Sequence, residues 1–162
     1  MVDNTTDAGD RLILIVEDSD EDYEAFLRAL RKLPENYPVV RCADGDECLE
    51  YLERCASGTG GGADASARRP SLILLDLNLP GTDGREVLER LDADPDLRTI
   101  PVTVVTTSTN PQDVELCYRH GANSYLTKSH PWHRFEDTIR LLMAYWFTAV
   151  ILPPAAAGGK AG

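Results

Sequence analysis

The sequence lacks any apolar run of transmembrane length, so no bilayer-spanning helix is expected. It also lacks the basic, apolar and small-residue opening of a secretory signal, and the expected compartment is the cytoplasm. Cysteine is sparse, and Cys42, Cys48, Cys55 and Cys117 form no Cys-x-x-Cys unit. Reduced thiols packed as small hydrophobes are therefore the stronger reading, with a disulfide or a zinc site the weaker one. Histidine is scarcer still. His130 and His133 stand near a helix start with no further Cys or His at ligand spacing, which points to surface positions. Positive charge is in deficit, with 16 Lys and Arg against 27 Asp and Glu and a formal net charge of -11. Phosphate backbones and anionic lipids attract Lys and Arg, so neither nucleic acid nor a membrane is an expected partner.

What the chain does have is centred on Leu72-Ile73-Leu74-Leu75-Asp76-Leu77-Asn78-Leu79-Pro80, an apolar run that stops on a carboxylate and breaks into a Pro-Gly loop. An uninterrupted run of strand length suits a strand buried on both faces, as in a parallel sheet. Asp76 then sits at the strand's carboxyl end, where open α/β sheets bind ligands. On this residue alone, an aspartate making a local Asx turn remains an equal alternative.

The same pattern recurs along the chain. Leu12 to Val16 is a second buried run, ending in Glu17-Asp18. Ser19 can cap the helix that follows, with Asp20, Glu21 and Asp22 in its first turn and Tyr23, Phe26, Leu27 and Leu30 inward. Val39 to Ala43 is a short strand, and Asp46 to Arg54 a helix. Residues 56-69 are rich in Gly, Ala and Ser and are expected to form a flexible inserted loop. They lack the Gly-Lys-Ser/Thr ending of a phosphate-cradling P-loop. A helix with Val87, Leu88 and Leu91 inward follows Asp83-Gly84. Val102 to Val105 is a strand ending at Thr106, and Asn110-Pro111 starts a helix closed by Gly121. Ser124 to Thr127 is a last strand, ending beside Lys128. The final helix begins near Pro131, with Phe135, Ile139, Leu142, Met143 and Trp146 at helical spacing.

Five strand-helix units, (βα)5, with right-handed crossovers give an α/β fold. It is a flavodoxin-like, doubly wound, five-stranded parallel sheet in the order 2-1-3-4-5. The expected organisation is one domain over 11-152, with a flexible N-terminus at 1-10, a disordered tail at 153-162 and no separate output module.

That strand order gathers Glu17, Asp18 and Asp76 in one crevice, with Thr106 and Lys128 arriving from the neighbouring strand ends. Carboxylates packed together repel unless they take up protons or a cation, and an all-oxygen donor set suits Mg2+ or Mn2+. A cation, an ammonium and a hydroxyl around one aspartate form a clamp for a phosphoryl group carried on that aspartate.

Taken together, Glu17-Asp18, Asp76-x-Asn78-x-Pro80-x-x-Asp83-Gly84, Thr106 and Lys128 resemble the receiver domain of two-component response regulators. The resemblance covers Leu12 to about Phe147, and so the domain at 11-152. It implies that Asp76 accepts a phosphoryl group from a histidine kinase, with Thr106 and Lys128 on the phosphoryl oxygens. Mg2+ would be held by Asp18, Asp76 and the main-chain carbonyl of Asn78, with Glu17 acting through water. It also implies that Thr106 and Tyr125 move together as a switch. More narrowly, the Asp76 to Leu88 run, Thr106-Thr107-Ser108 and Tyr145-Trp146-Phe147 look like the single-domain regulators that partner bacterial phytochromes. In one departure, Ser129 stands where receivers usually have proline after the lysine, which leaves that peptide's geometry open.

Two other classes compete. A haloacid-dehalogenase-like phosphatase also uses a strand-end aspartate but needs a second acid two residues on, where this chain has Asn78. A flavodoxin-like cofactor binder would meet repulsion between an FMN phosphate and Glu17, Asp18, Asp20, Glu21 and Asp22. A phosphorylation-independent interaction module with the same fold also stays open. The expected output is a homodimer and kinase-docking face of the fourth helix, fifth strand and final helix. Apolar residues crowd the end of that helix, and Tyr145, Trp146, Phe147, Ile151 and Leu152 are the candidate anchors. The competing possibility is that this end folds back over its own sheet.

Overall fold

A computed structural model of the chain describes residues 8-56, 67-128 and 131-154. The strands are β1 (Ile13–Val16), β2 (Val39–Cys42), β3 (Leu72–Leu75), β4 (Val102–Thr106) and β5 (Ser124–Thr127). The helices are α1 (Asp20–Arg31), α2 (Gly45–Ala56), α3 (Gly84–Ala93), α4 (Pro111–Arg119) and α5 (Trp132–Ala144). The strands are all parallel and lie in the order β2-β1-β3-β4-β5, as the alternation of strand and helix predicts.

Strand geometry explains why the central runs carry no polar residue. Successive side chains point to opposite faces, and both faces here are covered. Ile13, Ile15, Leu72 and Leu74 pack with Phe26 of α1 and with Phe135 and Ile139 of α5. Leu14, Val16, Ile73 and Leu75 pack on the other face with Leu52 of α2, Val87 and Leu88 of α3 and Cys117 of α4. Cys42, Cys48 and Cys117 are buried, and burial pushes the Cys42 thiol up to about 12, so it packs as an uncharged hydrophobe. Ser19, Asp83 and Asn110 each cap a helix by accepting the backbone N–H of Asp22, Arg85 and Gln112. No helix among the described residues is long and apolar enough to cross a membrane.

The expectation of a loose N-terminus through residue 10 needs correction at its end, because Ala8–Asp10 form a 3-10 turn. Arg68 fastens that turn by donating to the Gly9 carbonyl at 2.7 Å. Residues 1-7, the body of the inserted loop at 57-66, Ser129, His130 and the tail from 155 lie outside the described residues. The second correction concerns the end of the final helix. Trp146 and Phe147 are 8% and 5% exposed and belong to the core shared with α1. After Ala144 the helix widens into a π turn, Tyr145–Ala149, closed by Val150 N–H donating to the Tyr145 carbonyl at 3.1 Å. Leu142, Met143, Trp146 and Phe147 recur at i, i+1, i+4 and i+5, so both aromatic residues continue the inward stripe of α5. Phe147 stacks on Tyr37 at 4.4 Å between centroids, and Arg11 donates to the Phe147 carbonyl at 2.7 Å. Leu152 packs partly against the same core, leaving Tyr145 and Ile151 as the candidate anchors that are exposed.

Candidate functional site: the carboxylate crevice

The crevice follows from where the strands stop. Glu17 N–H donates to the Cys42 carbonyl at 3.0 Å and Asp76 N–H to the Val16 carbonyl at 3.1 Å, so the ladder continues past β1 and β3 and presents Glu17, Asp18 and Asp76 together. One oxygen from each of these three lies within 4.8 Å of the other two. Glu17 and Asp76 are 1% and 6% exposed, whereas Asp18 faces solvent. The donors are all hard oxygens, in number and spacing that fit a divalent cation such as Mg2+ or Mn2+. Arg41 of β2 steadies the β1-α1 loop. Its guanidinium donates to the carbonyls of Glu17 at 3.1 Å and Asp18 at 3.3 Å and lies 4.6 Å from the Tyr23 ring centroid.

Lys128 follows β5, and its N–H donates to the Thr106 carbonyl at 2.7 Å. Its ammonium reaches Glu17 Oε2 at 2.6 Å, Asp22 Oδ2 at 2.7 Å and Asp76 Oδ2 at 2.9 Å. Burial pushes the Glu17 carboxyl up to about 7, against the pull of Lys128 and with Asp76 adding repulsion. Burial leaves Glu17 readier to give up its charge than an exposed glutamate, and the 2.6 Å contact with Lys128 opposes that. For Lys128, burial pulls downward, and its bonds to Asp22, Glu17 and Asp76 outweigh that and hold the ammonium above its usual value.

Thr106 is fully buried at the end of β4, where its Oγ1 accepts Ser108 N–H at 3.4 Å. Asn78 is exposed, and its N–H donates to Asp76 Oδ1 at 3.3 Å, which keeps the β3-α3 loop folded over the carboxylate. This is the Asx-type bond of the local-turn alternative, and it coexists with the bond from Lys128 to the other oxygen. Tyr125 of β5 is half-buried and donates to the Ser108 carbonyl at 2.9 Å. Ser108 Oγ in turn donates to Asp113 at 2.6 Å, and Arg85 makes two 2.8 Å bonds to the same carboxylate.

Sequence reasoning missed Asp22, Arg41 and the Arg85–Asp113 pair. Asp22 reads as one of three helix-start acids, and no sequence signal sets it apart from Asp20 and Glu21. The other partners meet only through the fold.

An acidic, oxygen-lined crevice at the carboxyl ends of β1 and β3 in a 2-1-3-4-5 sheet, with a lysine drawn into it, defines the receiver class. Residues 13–140 match the response regulator receiver domain, and the chain belongs to that family of two-component signalling proteins. It is 37% identical over 145 residues to the response regulator Rcp1 of Synechocystis, covering 90% of this chain and 95% of that protein. Among solved structures, the phosphorylated cyanobacterial phytochrome response regulator RcpA matches with a TM-score of 0.80 at 38% identity, over 89% of this chain and 99% of that one. The Mn(2+)-bound form of Rcp1 matches at 0.79 and 37%, with the same coverage.

Proposed function

We propose that this protein accepts a phosphoryl group from a sensor histidine kinase on Asp76, beside a divalent cation, Mg2+ or Mn2+. The carrying observation is that Asp76, almost wholly buried, bonds the Lys128 ammonium at 2.9 Å inside the Glu17, Asp18 and Asp76 cluster. An Asp76 oxygen attacks phosphorus, the bond from phosphorus to the kinase histidine nitrogen breaks with its electron pair on nitrogen, and an acyl phosphate forms. Lys128 balances the incoming oxygens by exchanging a carboxylate for one of them, and Asn78 N–H orients the carboxylate. Asp18, Asp76 and the Asn78 main-chain carbonyl would hold the cation, Glu17 supporting through water, and the cation supplies charge neutralisation on the phosphoryl oxygens.

Thr106 Oγ1 then turns from the Ser108 amide to the phosphoryl group, and the Tyr125 ring follows, altering the face of α4, β5 and α5. That face serves a homodimer and kinase docking. A bacterial phytochrome kinase is the partner this reading favours, since the matching proteins include phytochrome response regulators, and the cytoplasm is the corresponding compartment.

Incubation with acetyl phosphate, with and without Mg2+, read by intact mass, tests the reading. The expected result is one added phosphoryl group that requires Mg2+ and maps to Asp76. An unmodified chain under both conditions overturns it in favour of a phosphorylation-independent module.

A further inference from the structure

We infer that Asp22 is the positioning residue of Lys128, the carboxylate that keeps the ammonium in place once a cation and a phosphoryl group claim its other partners. This rests on the proposed role of Lys128 at the phosphoryl group. An ammonium has three N–H donors, and here Glu17, Asp22 and Asp76 supply one close acceptor each. Two of these acceptors, Glu17 and Asp76, also belong to the carboxylate cluster that fits a divalent cation; Asp22 does not. A cation in the crevice draws on the Glu17 and Asp76 oxygens, and phosphorylation covers Asp76. Asp22 is then the acceptor left to the lysine alone.

The local structure equips Asp22 for this. It lies in the first turn of α1, at the end of the helix dipole that attracts negative charge, and its own N–H is tied to Ser19 Oγ at 3.3 Å. Its side chain is 17% exposed against 1% for Glu17 and 7% for Asp76, so it meets Lys128 from the outer side of the crevice. Lysine is a point charge on a flexible four-carbon stem and does not hold its own position. A fixed outer contact leaves its remaining donors aimed inward. Its neighbours differ: Glu21 is exposed, and Asp20, with its side chain 91% exposed, pairs with Arg41.

The full chain and its Asp22→Asn, Asp22→Glu and Glu21→Gln variants separate this role from a helix-dipole role. Proton exchange of the Lys128 ammonium is followed by NMR with the Nζ nitrogen labelled, with and without Mg2+ and without a phosphoryl donor. The rate of acetyl phosphate uptake at saturating Mg2+ is measured separately. The wild-type ammonium should exchange slowly in both Mg2+ conditions. Asp22→Asn should make it exchange freely and slow uptake by on the order of tenfold to a hundredfold, because misplacement of a reacting group has that scale. Asp22→Glu should restore part of both, and Glu21→Gln should change neither. A wild-type ammonium that exchanges like an exposed lysine, an Asp22→Asn variant unchanged in both readouts, or a Glu21→Gln variant that moves both equally overturns the inference. If wild-type protein takes up no phosphoryl group, the reading of Asp76 fails, and the exchange measurement still decides whether Asp22 holds Lys128.

Discussion

At Asp76 a carboxylate is buried among others of its own charge, an arrangement that costs stability unless something positive enters. Lys128 meets part of that need, and the remainder is a driving force for cation uptake. Asp76→Asn removes one of the three negative charges while keeping the side chain's shape. It should abolish phosphoryl uptake by intact mass, weaken Mg2+ binding in a titration and leave the far-UV circular dichroism unchanged; uptake by the Asn variant would refute the assignment. Asp113 offers a separate test away from the crevice. The bonds from Arg85, with a further one from Ser108, hold its carboxyl down to about 2. A value depressed on folding adds stability above the unfolded value of roughly 4. That contribution is lost as pH falls through the folded value. Urea unfolding of wild-type protein and Asp113→Asn from pH 5 to pH 2 should show a stability difference that shrinks across that interval, and a constant difference would exclude the pair as its source. Residues at strand ends, such as Asp76, Glu17 and Asp18, were legible in the sequence because the apolar run itself marks where the strand stops. Asp22 was not, because its partner Lys128 lies 106 positions away and helix-start acids have a sufficient local explanation.

Among the elements, α3 is the one that fixes the geometry of the crevice, and it does so through a missing side chain. Gly84 begins α3, and its N–H donates to the Leu77 carbonyl at 2.9 Å. A Cβ at this position would sit 2.1 Å from the Asp76 carbonyl oxygen and 2.6 Å from Leu77 Cα. Both are backbone atoms, of Asp76 and of the residue after it, so relief requires the loop to move. Gly84→Ala should therefore destabilise the protein by roughly 1 to 3 kcal/mol, the usual scale of overpacking. It should also slow phosphoryl uptake by displacing Asp76, as read by urea unfolding together with uptake kinetics. Loss of stability with unchanged uptake would show that the helix start and the crevice are independent. The Asp-Gly pair is readable in sequence as a cap and helix start, but its closeness to Asp76 belongs to the packing of α3 on β3. The end of α5 shows the opposite failure. Apolar residues at nearly every position imply a second exposed face if the helix is regular. Trp146 and Phe147 instead follow Leu142 and Met143 on the inward stripe and enter the core, leaving Leu141 and Tyr145 outside.

For the molecule as a whole, that repacking narrows the proposed homodimer to the residues left outside. Leu141, Tyr145, Tyr118 and Ile151 are 73%, 55%, 50% and 71% exposed, and Leu141 and Tyr145 line a groove of about 440 Å3 beside Leu126 and Trp146, between the β5 edge and α5. Truncation before Tyr145 would remove core residues and confuse association with folding. A charge placed on the rim of the groove is the cleaner perturbation. Leu141→Asp and Tyr145→Asp, both at exposed positions, should leave the unfolding midpoint nearly unchanged while weakening self-association by on the order of thirtyfold, the scale of an anchor worth about 2 kcal/mol. Sedimentation of wild-type protein and both variants, with and without beryllium fluoride and Mg2+, reads this directly. Beryllium fluoride should strengthen the wild-type dimer if the Thr106 and Tyr125 movement reaches this face. Phosphoryl uptake should persist in both variants, because neither residue touches the crevice. A wild-type chain that sediments as a monomer in every condition removes the dimer while leaving the proposed role of Asp76 untouched.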